Sequence, residues 1–419
     1  MTGFGAFVAA AARDGVLVVQ PRMGFGDPAR MRAGLLATRD AGVRAAGTIT
    51  LDSFTRVGEH DSVRAALAQG GQLNGYPIVD HPLAVTRGVL AGVGGTGFPV
   101  QVRHGSPRPQ RIVAALVAAG LDATEGGPIS YCLPYSRVPV AESVRAWTEA
   151  ARMLAGLRED GRRPHLETFG GCMMAQLCPP ALLVAISVLE GVFFRRLGVD
   201  SVSLSYAQQT HPGQDAEALL ALRTLAAEFL PATDWHVVVY TYMGSFPRTP
   251  GGATALLADA ARLSVRGGAE RLIVKTVAEA HRIPTVAENV DALWVASRAA
   301  AAERRAPAAV ADTGIAAQAR AVVEAVLDVD PDLGTALTKA VTTGLLDVPY
   351  CLHPDNAGRT GATVDGAGRL QWTSTGGLPL RGLTDTGGTP HTADQLLRAL
   401  SYLERKFDDA ALERECLPS

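Results

Sequence analysis

From Val16 to Lys275 the chain alternates short β-branched runs with longer helix-patterned stretches, and this alternation confines it to folds built on a parallel sheet. The predicted strands are Val16–Gln20, Gly47–Leu51, Gly75–Val79, Val100–Arg103, Asp122–Glu125, His165–Phe169, Ser201–Ser205, His236–Thr241 and Arg271–Lys275. Between them Pro28–Ala41, Arg108–Ala119, Ser143–Arg158, Pro180–Leu197, Gln214–Phe229 and Gly252–Val265 carry apolar residues at helical spacing. Several of these stretches open on Pro or Asp and close on Gly. Periodicity does not separate a doubly wound open sheet from a closed barrel. The predicted strands are one more than a (β/α)8 barrel holds, so one of them is no strand or lies outside the barrel.

The placement of polar chemistry favours the barrel. Arg22, Thr50, Arg103, Glu125, Met243 and Lys275 each fall at the C-terminal end of a different predicted strand, or just past it. In an open sheet such residues gather at one switch point. Dealt from many strands to one rim, they describe a barrel mouth. The expectation is an α/β fold, with a (β/α)8 TIM barrel over residues 1–305 and a helical and irregular extension over 306–419 packing on it. The boundary is set near residue 306, in the Ala/Arg-rich Ser297–Val310, which reads as a helix running into a linker. The extension should hold helices at about 314–328, 331–342 and 392–406 around an irregular, Gly-rich Thr343–Pro390.

Composition excludes several classes. A chain of 419 residues, 47% hydrophobic and 19% charged, is globular in composition. At that size it buries roughly three quarters of its surface without disulfides. A net charge of −2 gives no electrostatic drive toward nucleic acid or an anionic membrane. Cys132, Cys172, Cys178, Cys351 and Cys416 form no CxxC pair and suit a reducing, cytoplasmic interior. The opening MTGFGAFVAAAARDG lacks a basic n-region and reads as an amphipathic first helix rather than a signal peptide. No apolar run reaches about 18 residues, so no membrane span is expected.

Three arginines stand out: Arg22 in QPRMG, Arg56 in TLDSFTR and Arg103 in PVQVRHG. A guanidinium grips a carboxylate in two parallel charge-assisted bonds, so three forks on one rim would suit a substrate with two carboxylates. Singly, an arginine after a strand is more often a surface ion pair, and it is their joint placement at strand ends that points to a site. Glu125 in DATEGG either holds a substrate ammonium, shuttles a proton, or pairs with a rim arginine. Tyr131 and Tyr135, in the Pro-broken ISYCLPY, either cap a small polar substrate or simply pack. Lys275 and Glu279 lie four apart where a strand gives way to a helix. That spacing places both on one helical face, and serves a weak ion pair as well as a ribose held between them.

Other patterns carry little. Gly92-Val93-Gly94-Gly95-Thr96-Gly97 fits GxGxxG, but it follows a helix and precedes a strand, the reverse of the dinucleotide fingerprint. The histidines show no HxH or HExxH, so no metal site is expected. Cys172 and Cys178 in GGCMMAQLC read as buried or loop thiols.

Together QPRMG, TITLDSFTR, LNGYP, PVQVRHG, ATEGGPISYCLPY, ETFGG, YTYMGSFP and VKTVAEAHRIPT resemble the epsilon subunit of glutamate (methylaspartate) mutase, in its order and nearly its spacing. A weaker likeness continues through LLDVPYCLHPDNAG. The resemblance implies a barrel capped by a separate subunit, with adenosylcobalamin as cofactor. A deoxyadenosyl radical then abstracts hydrogen from L-glutamate, which rearranges reversibly to 3-methylaspartate. It implies that Arg22, Arg56 and Arg103, with His104, hold the two carboxylates, and that Glu125, Tyr131 and Tyr135 orient the amino group and backbone. It implies cofactor contacts from Gly24, Asn74, Pro134, Phe246, Lys275, Glu279 and Ile283, with Lys275 and Glu279 fixing the adenosine.

Cobalamin-binding domains of this class carry DxHxxG, whose His ligates cobalt; Asp80-His81-Pro82 and His211-Pro212-Gly213 do not fit it. A small partner subunit bearing that motif is therefore implied, in a heterotetramer built on a homodimer of this chain. The chain begins close to its first strand, where family members carry a longer N-terminal extension, and SYAQQTHPGQD departs from the family pattern. Competing readings are a mutase of the same class acting on another amino acid or diacid, a non-catalytic barrel scaffold, and a metal-dependent hydrolase. The intact arginine set with Glu125 favours glutamate over the first, since a lost carboxylate would strand a buried arginine. Retention of the expected site residues speaks against the scaffold, and missing ligands against the hydrolase.

Overall fold

The computed structural model describes residues 3–94, 97–173, 177–303, 310–386 and 392–415. Eight strands, β1 (Val18–Pro21), β2 (Gly47–Thr50), β3 (Val100–Arg103), β4 (Ala123–Glu125), β5 (His165–Glu167), β6 (Ser201–Ala207), β7 (Asp234–Tyr240) and β8 (Arg271–Val274), pair in the order β1-β8-β7-β6-β5-β4-β3-β2, all parallel. The remaining gap closes beside β2. Val19 bridges Ala45, its N–H donates to Arg44 O at 3.0 Å, and Ala46 N–H donates to Val19 O at 3.2 Å. The result is a (β/α)8 barrel. The supernumerary prediction is Gly75–Val79, which forms only an isolated bridge between Tyr76 and Leu51. Its apolar run serves loop packing: Tyr76 is buried and its hydroxyl meets Thr86 Oγ1 at 2.9 Å. The predicted boundary near residue 306, Cys416, and Gly95 and Thr96 of the glycine string lie outside the described residues.

Capping explains several helix starts: Asp27, Thr249 and Thr285 accept backbone N–H bonds at the heads of Pro28–Arg39, Pro250–Arg266 and Val286–Ala302. Pro180–Arg196 is apolar on nearly every face. It is buried from Pro180 to Phe194 because the barrel covers one side and Ile315–Leu327 the other. That extension helix also packs on Pro212–Phe229, and Leu333–Thr343 packs on Val140–Gly156. Their Val322, Val323 and Leu337 belong to the same apolar core as the barrel strands.

Thr343–Pro390, expected to be irregular, contains an antiparallel hairpin of Thr360–Val364 and Leu370–Thr375. Its turn is held by Asp365, whose carboxylate accepts from the N–H groups of Ala367 and Arg369, both at 2.9 Å. The small turn residues obscured the strand alternation. The expected final helix divides into Ala393–Leu400 and Tyr402–Glu415.

The barrel interior is polar where such barrels are ordinarily filled by branched apolar side chains. Gln20 Nε2 donates to Thr48 Oγ1 and Gln101 Oε1, both at 2.9 Å, and Arg271 is completely buried against Glu167, Ser203 and His236. The amphipathic first helix, Phe4–Arg13, stoppers the N-terminal end of this network. Phe4 stacks on His165 with ring centres 5.0 Å apart and lies 4.9 Å from the Arg271 guanidinium carbon. Burial, then the neighbouring Arg271, lowers His165 to about 3, so it is neutral here. With that end closed, the opposite end is left for a ligand.

Candidate substrate site at the barrel mouth

The strand ends deliver side chains to one rim as the alternation requires. Thr50, Arg103 and Glu125 are the last residues of β2, β3 and β4; Arg22 and Lys275 each stand one residue beyond β1 and β8. Arg56 arrives on the short helix Ser53–Val57, whose N-cap Asp52 accepts from Thr55 N at 2.9 Å. Gly105, at φ 80°, leaves room for it: a Cβ there would meet Arg56 Cδ at 2.9 Å. Arg22, Arg56, Arg103, His104, Glu125, Tyr131 and Tyr135 all line one cavity of ≈250 Å³, together with Asn74, Phe169 and Met243.

The Arg103 guanidinium meets the Glu125 carboxyl group inside the barrel, Nη2 to Oε2 at 2.9 Å. Burial works against the Arg103 charge, but Glu125 and its neighbours hold it protonated. The other Glu125 oxygen accepts from the Tyr131 hydroxyl, and Tyr240 Oη approaches Oε2 at 2.7 Å. Four buried polar atoms of cavity residues, Thr50 Oγ1, Arg56 Nε, Arg103 Nη1 and His104 Nε2, have no hydrogen-bond partner among the described residues. His104 Nδ1 accepts from Ser106 N–H at 2.9 Å, which places the ring proton on Nε2. Burial, reinforced by Arg103, lowers His104 to about 3, so it is a neutral donor. Orphaned buried donors each cost about 1–3 kcal/mol, and a bound anion relieves that cost.

The seven residues assigned to substrate thus share one cavity; those assigned to cofactor are more dispersed. Asn74 lines the same cavity and accepts from Ser53 N at 2.9 Å. Gly24 and Ile283 line a neighbouring concavity of ≈680 Å³, and Pro134 a shallower one of ≈420 Å³. Lys275 sits 5.0 Å from the Phe246 ring centre and 3.0 Å from Glu279, which also receives Arg22 at 3.0 Å. Lys275 and Glu279 do not share a helical face as their spacing implied. Pro284 delays the helix to Val286, and a turn closed by Glu279 N–H to Thr276 O at 3.1 Å brings the pair together. Burial lowers Lys275 to about 8 against the pull of Glu279; burial raises Glu279, but Lys275 and Arg22 outweigh it and hold it at about 2.

Sequence reasoning missed Glu167, Tyr240, Glu190 and Arg271. Glu167 in HLETFGG has the strand-end Glu followed by glycines that marked Glu125, so the signal was present. Glu190 reaches from Pro180–Arg196 to the two loops beside the cavity. It accepts from Ser130 N and Oγ, both at 2.9 Å, from Ile129 N at 3.3 Å, from Phe169 N at 3.2 Å and from Gly170 N at 3.0 Å. Gly127 makes this possible, since a Cβ would fall 2.0 Å from that carboxylate. Glu190→Gln turns an amide N–H₂ toward these donors. We expect it to cost about 1–3 kcal/mol for each donor stranded, read as a lower denaturation midpoint; an unchanged midpoint would contradict the clamp.

Among the described residues no group of three or more His, Cys, Asp or Glu is placed to hold a metal, and no helix is long and apolar enough to cross a membrane. Residues 2–387 match the family described as methylaspartate mutase E chain. The chain is similar to the glutamate mutase epsilon subunits of Yersinia enterocolitica and Escherichia coli O157:H7, at 29% and 30% identity over 349 residues, 79% of this chain and 72% of each relative. It is also similar to that of Treponema denticola, at 27% identity over 387 residues, 88% of this chain and 79% of the relative. A barrel mouth bearing the arginine-rich cavity and a match over nearly the whole chain lead to one assignment: the chain belongs to the methylaspartate mutase E chain family.

Proposed function

We propose that this chain is the substrate-binding subunit of an adenosylcobalamin-dependent isomerase that interconverts L-glutamate and L-threo-3-methylaspartate, and that it acts only with a small cobalamin-binding subunit. The observation that carries the reading is the set of unpartnered donors on Arg56, Arg103 and His104, three side chains that line the same cavity as Glu125. Arg56 and Arg103, with Arg22 on the same wall, offer forks for two carboxylates, and His104 adds a neutral N–H. Among the described residues Glu125 is the one carboxylic acid lining that cavity, and it is the counterpart for an ammonium. L-Glutamine keeps the size of L-glutamate and removes one carboxylate. We expect it to bind at least ~10-fold more weakly, since a charged hydrogen bond contributes about 1.5–3 kcal/mol. Equal affinities in calorimetry would contradict the diacid reading.

Adenosylcobalamin, when bound, supplies a carbon radical through homolysis of its cobalt–carbon bond. The residues present suit its organic part: the lining of the ≈680 Å³ concavity includes Gly24 and Leu73, close in the chain to Arg22 and Asn74 of the substrate cavity, and offers the half-exposed Ile283 as apolar wall. Lys275 and Glu279 would hold the adenosyl group, while the cobalt ligand would come from the partner. Arg22, which lines the substrate cavity, is paired with Glu279, and Glu279 with Lys275, so the adenosyl-holding pair would touch the substrate site through one arginine. Lys275→Ala should weaken adenosylcobalamin binding and spare L-glutamate binding. Because Lys275 is protonated only below about 8, wild-type cofactor affinity should fall as pH rises through that value, and the alanine variant should lack this fall. Identical cofactor affinity in both proteins would remove Lys275 from the site.

A further inference from the structure

Below the substrate cavity, two carboxylates from different strands converge on one hydroxyl. Tyr240 Oη on β7 lies 2.7 Å from Glu125 Oε2 on β4 and also hydrogen-bonds Glu167 Oε1 on β5. All three side chains are closed off from solvent, Glu125 only 1% exposed at the cavity floor. A phenol carries one proton to donate. Each of these two oxygen–oxygen contacts needs a hydrogen, because two facing lone pairs repel. The three groups therefore hold one proton more than Tyr240 supplies, as carboxylates that share a site do.

We propose that Glu125 and Glu167 share a single proton through the Tyr240 hydroxyl while the site is empty, and that docking of a substrate ammonium on Glu125 expels that proton to solvent. The inference rests on the amino-diacid reading of the cavity given above. Glu167 is the anionic partner. Its Oε2 accepts from Arg271, from Ser203 Oγ at 3.1 Å and from Gln101 Nε2 at 3.2 Å, all held inside the barrel. Tyr240 then donates to Glu167, and the protonated Glu125 donates to the Tyr240 oxygen.

The groups around Glu125 agree with this assignment. Arg103 on β3 and Tyr131 from the β4 loop touch it directly, and Glu167 and Tyr240 face it from β5 and β7. Arg22, Arg56, His104 and Tyr135 share its cavity. Burial, with Glu167 adding to it against the pull of Arg103, raises Glu125 above the ordinary carboxylate range. For Glu167 burial is outweighed by Arg271 and then Arg103, which hold it low; burial raises Tyr240 far enough that the phenol keeps its proton. The balance is simple: a protonated Glu125 becomes a carboxylate paired with the ligand's ammonium, one proton leaves to water, and no electrons move. Tyr240 and Glu167 are thus positioning residues that set the charge of Glu125.

Calorimetry of the full chain near neutral pH, in buffers of different ionisation enthalpy, counts protons released on binding. L-Glutamate and glutarate carry the same two carboxylates, and only the first has an ammonium. About one proton should leave per L-glutamate bound and none per glutarate. Tyr240→Phe keeps the Arg271–Glu167 pair and removes a hydroxyl that favours the Glu125 carboxylate, so its release with L-glutamate should persist to higher pH than in the wild type. Equal release with both ligands, or none with L-glutamate, would overturn the shared proton and leave the substrate reading standing. A release that fades at the same pH in Tyr240→Phe as in the wild type would overturn the role of Tyr240. No binding heat from either ligand would overturn the substrate reading and this inference together.

Discussion

Arg103→Lys should lower kcat/KM by about 10²-fold or more while the barrel stays folded. The buried guanidinium does two things at once: Nη2 holds Glu125 at 2.9 Å, and Nη1 is left unpartnered among residues that line the cavity. It also lies 4.8 Å from the Tyr240 ring centre, so its plane is fixed from below. A lysine ammonium is a point charge on a flexible stem. It can replace one of these contacts but not the fork that joins them. Steady-state kinetics on the reconstituted enzyme would read the loss, with the denaturation midpoint as a check on folding. Near-normal turnover would contradict the placement of Arg103 on a substrate carboxylate.

Arg271→Met should destabilise the fold by about 3–5 kcal/mol, the cost typical of breaking a buried ion pair from one side. Arg271 and Glu167 are both wholly buried, and the guanidinium also donates to Gln20 Oε1 and to Ser203 Oγ at 3.0 Å. Methionine fills the space but leaves Glu167 without its cation. Denaturant unfolding of the single variant and of Arg271→Met with Glu167→Gln would separate packing from charge. The double variant should recover part of the loss, since the stranded anion is gone. A single variant as stable as wild type would show that the polar interior is not held by this pair.

The barrel was legible because its strands are short, β-branched and spaced by capped helices. The error fell at Gly75–Val79, where Tyr76 and Ile78 alternate like a strand but pack as loop residues. The hairpin of Thr360–Val364 and Leu370–Thr375 was hidden for the opposite reason, its strands being rich in Thr, Ser and Gly. The rim was legible through Arg22, Arg56, Arg103 and Glu125, since charged residues at strand ends are conspicuous. The layer beneath was not. Tyr240 in WHVVVYTY and Arg271 in ERLIV read locally as strand residues, and only barrel closure brings them to Glu125 and Glu167. Contacts that span 104 residues, as Arg271 to Glu167 does, leave no local trace.

The chain mixed with a small DxHxxG-bearing cobalamin subunit, adenosylcobalamin and L-glutamate, with product followed by mass spectrometry, tests the account most directly. It predicts 3-methylaspartate from the complete mixture and none when either protein is omitted. Turnover of other amino acids but not of L-glutamate, or product formed by this chain and cofactor alone, would contradict it.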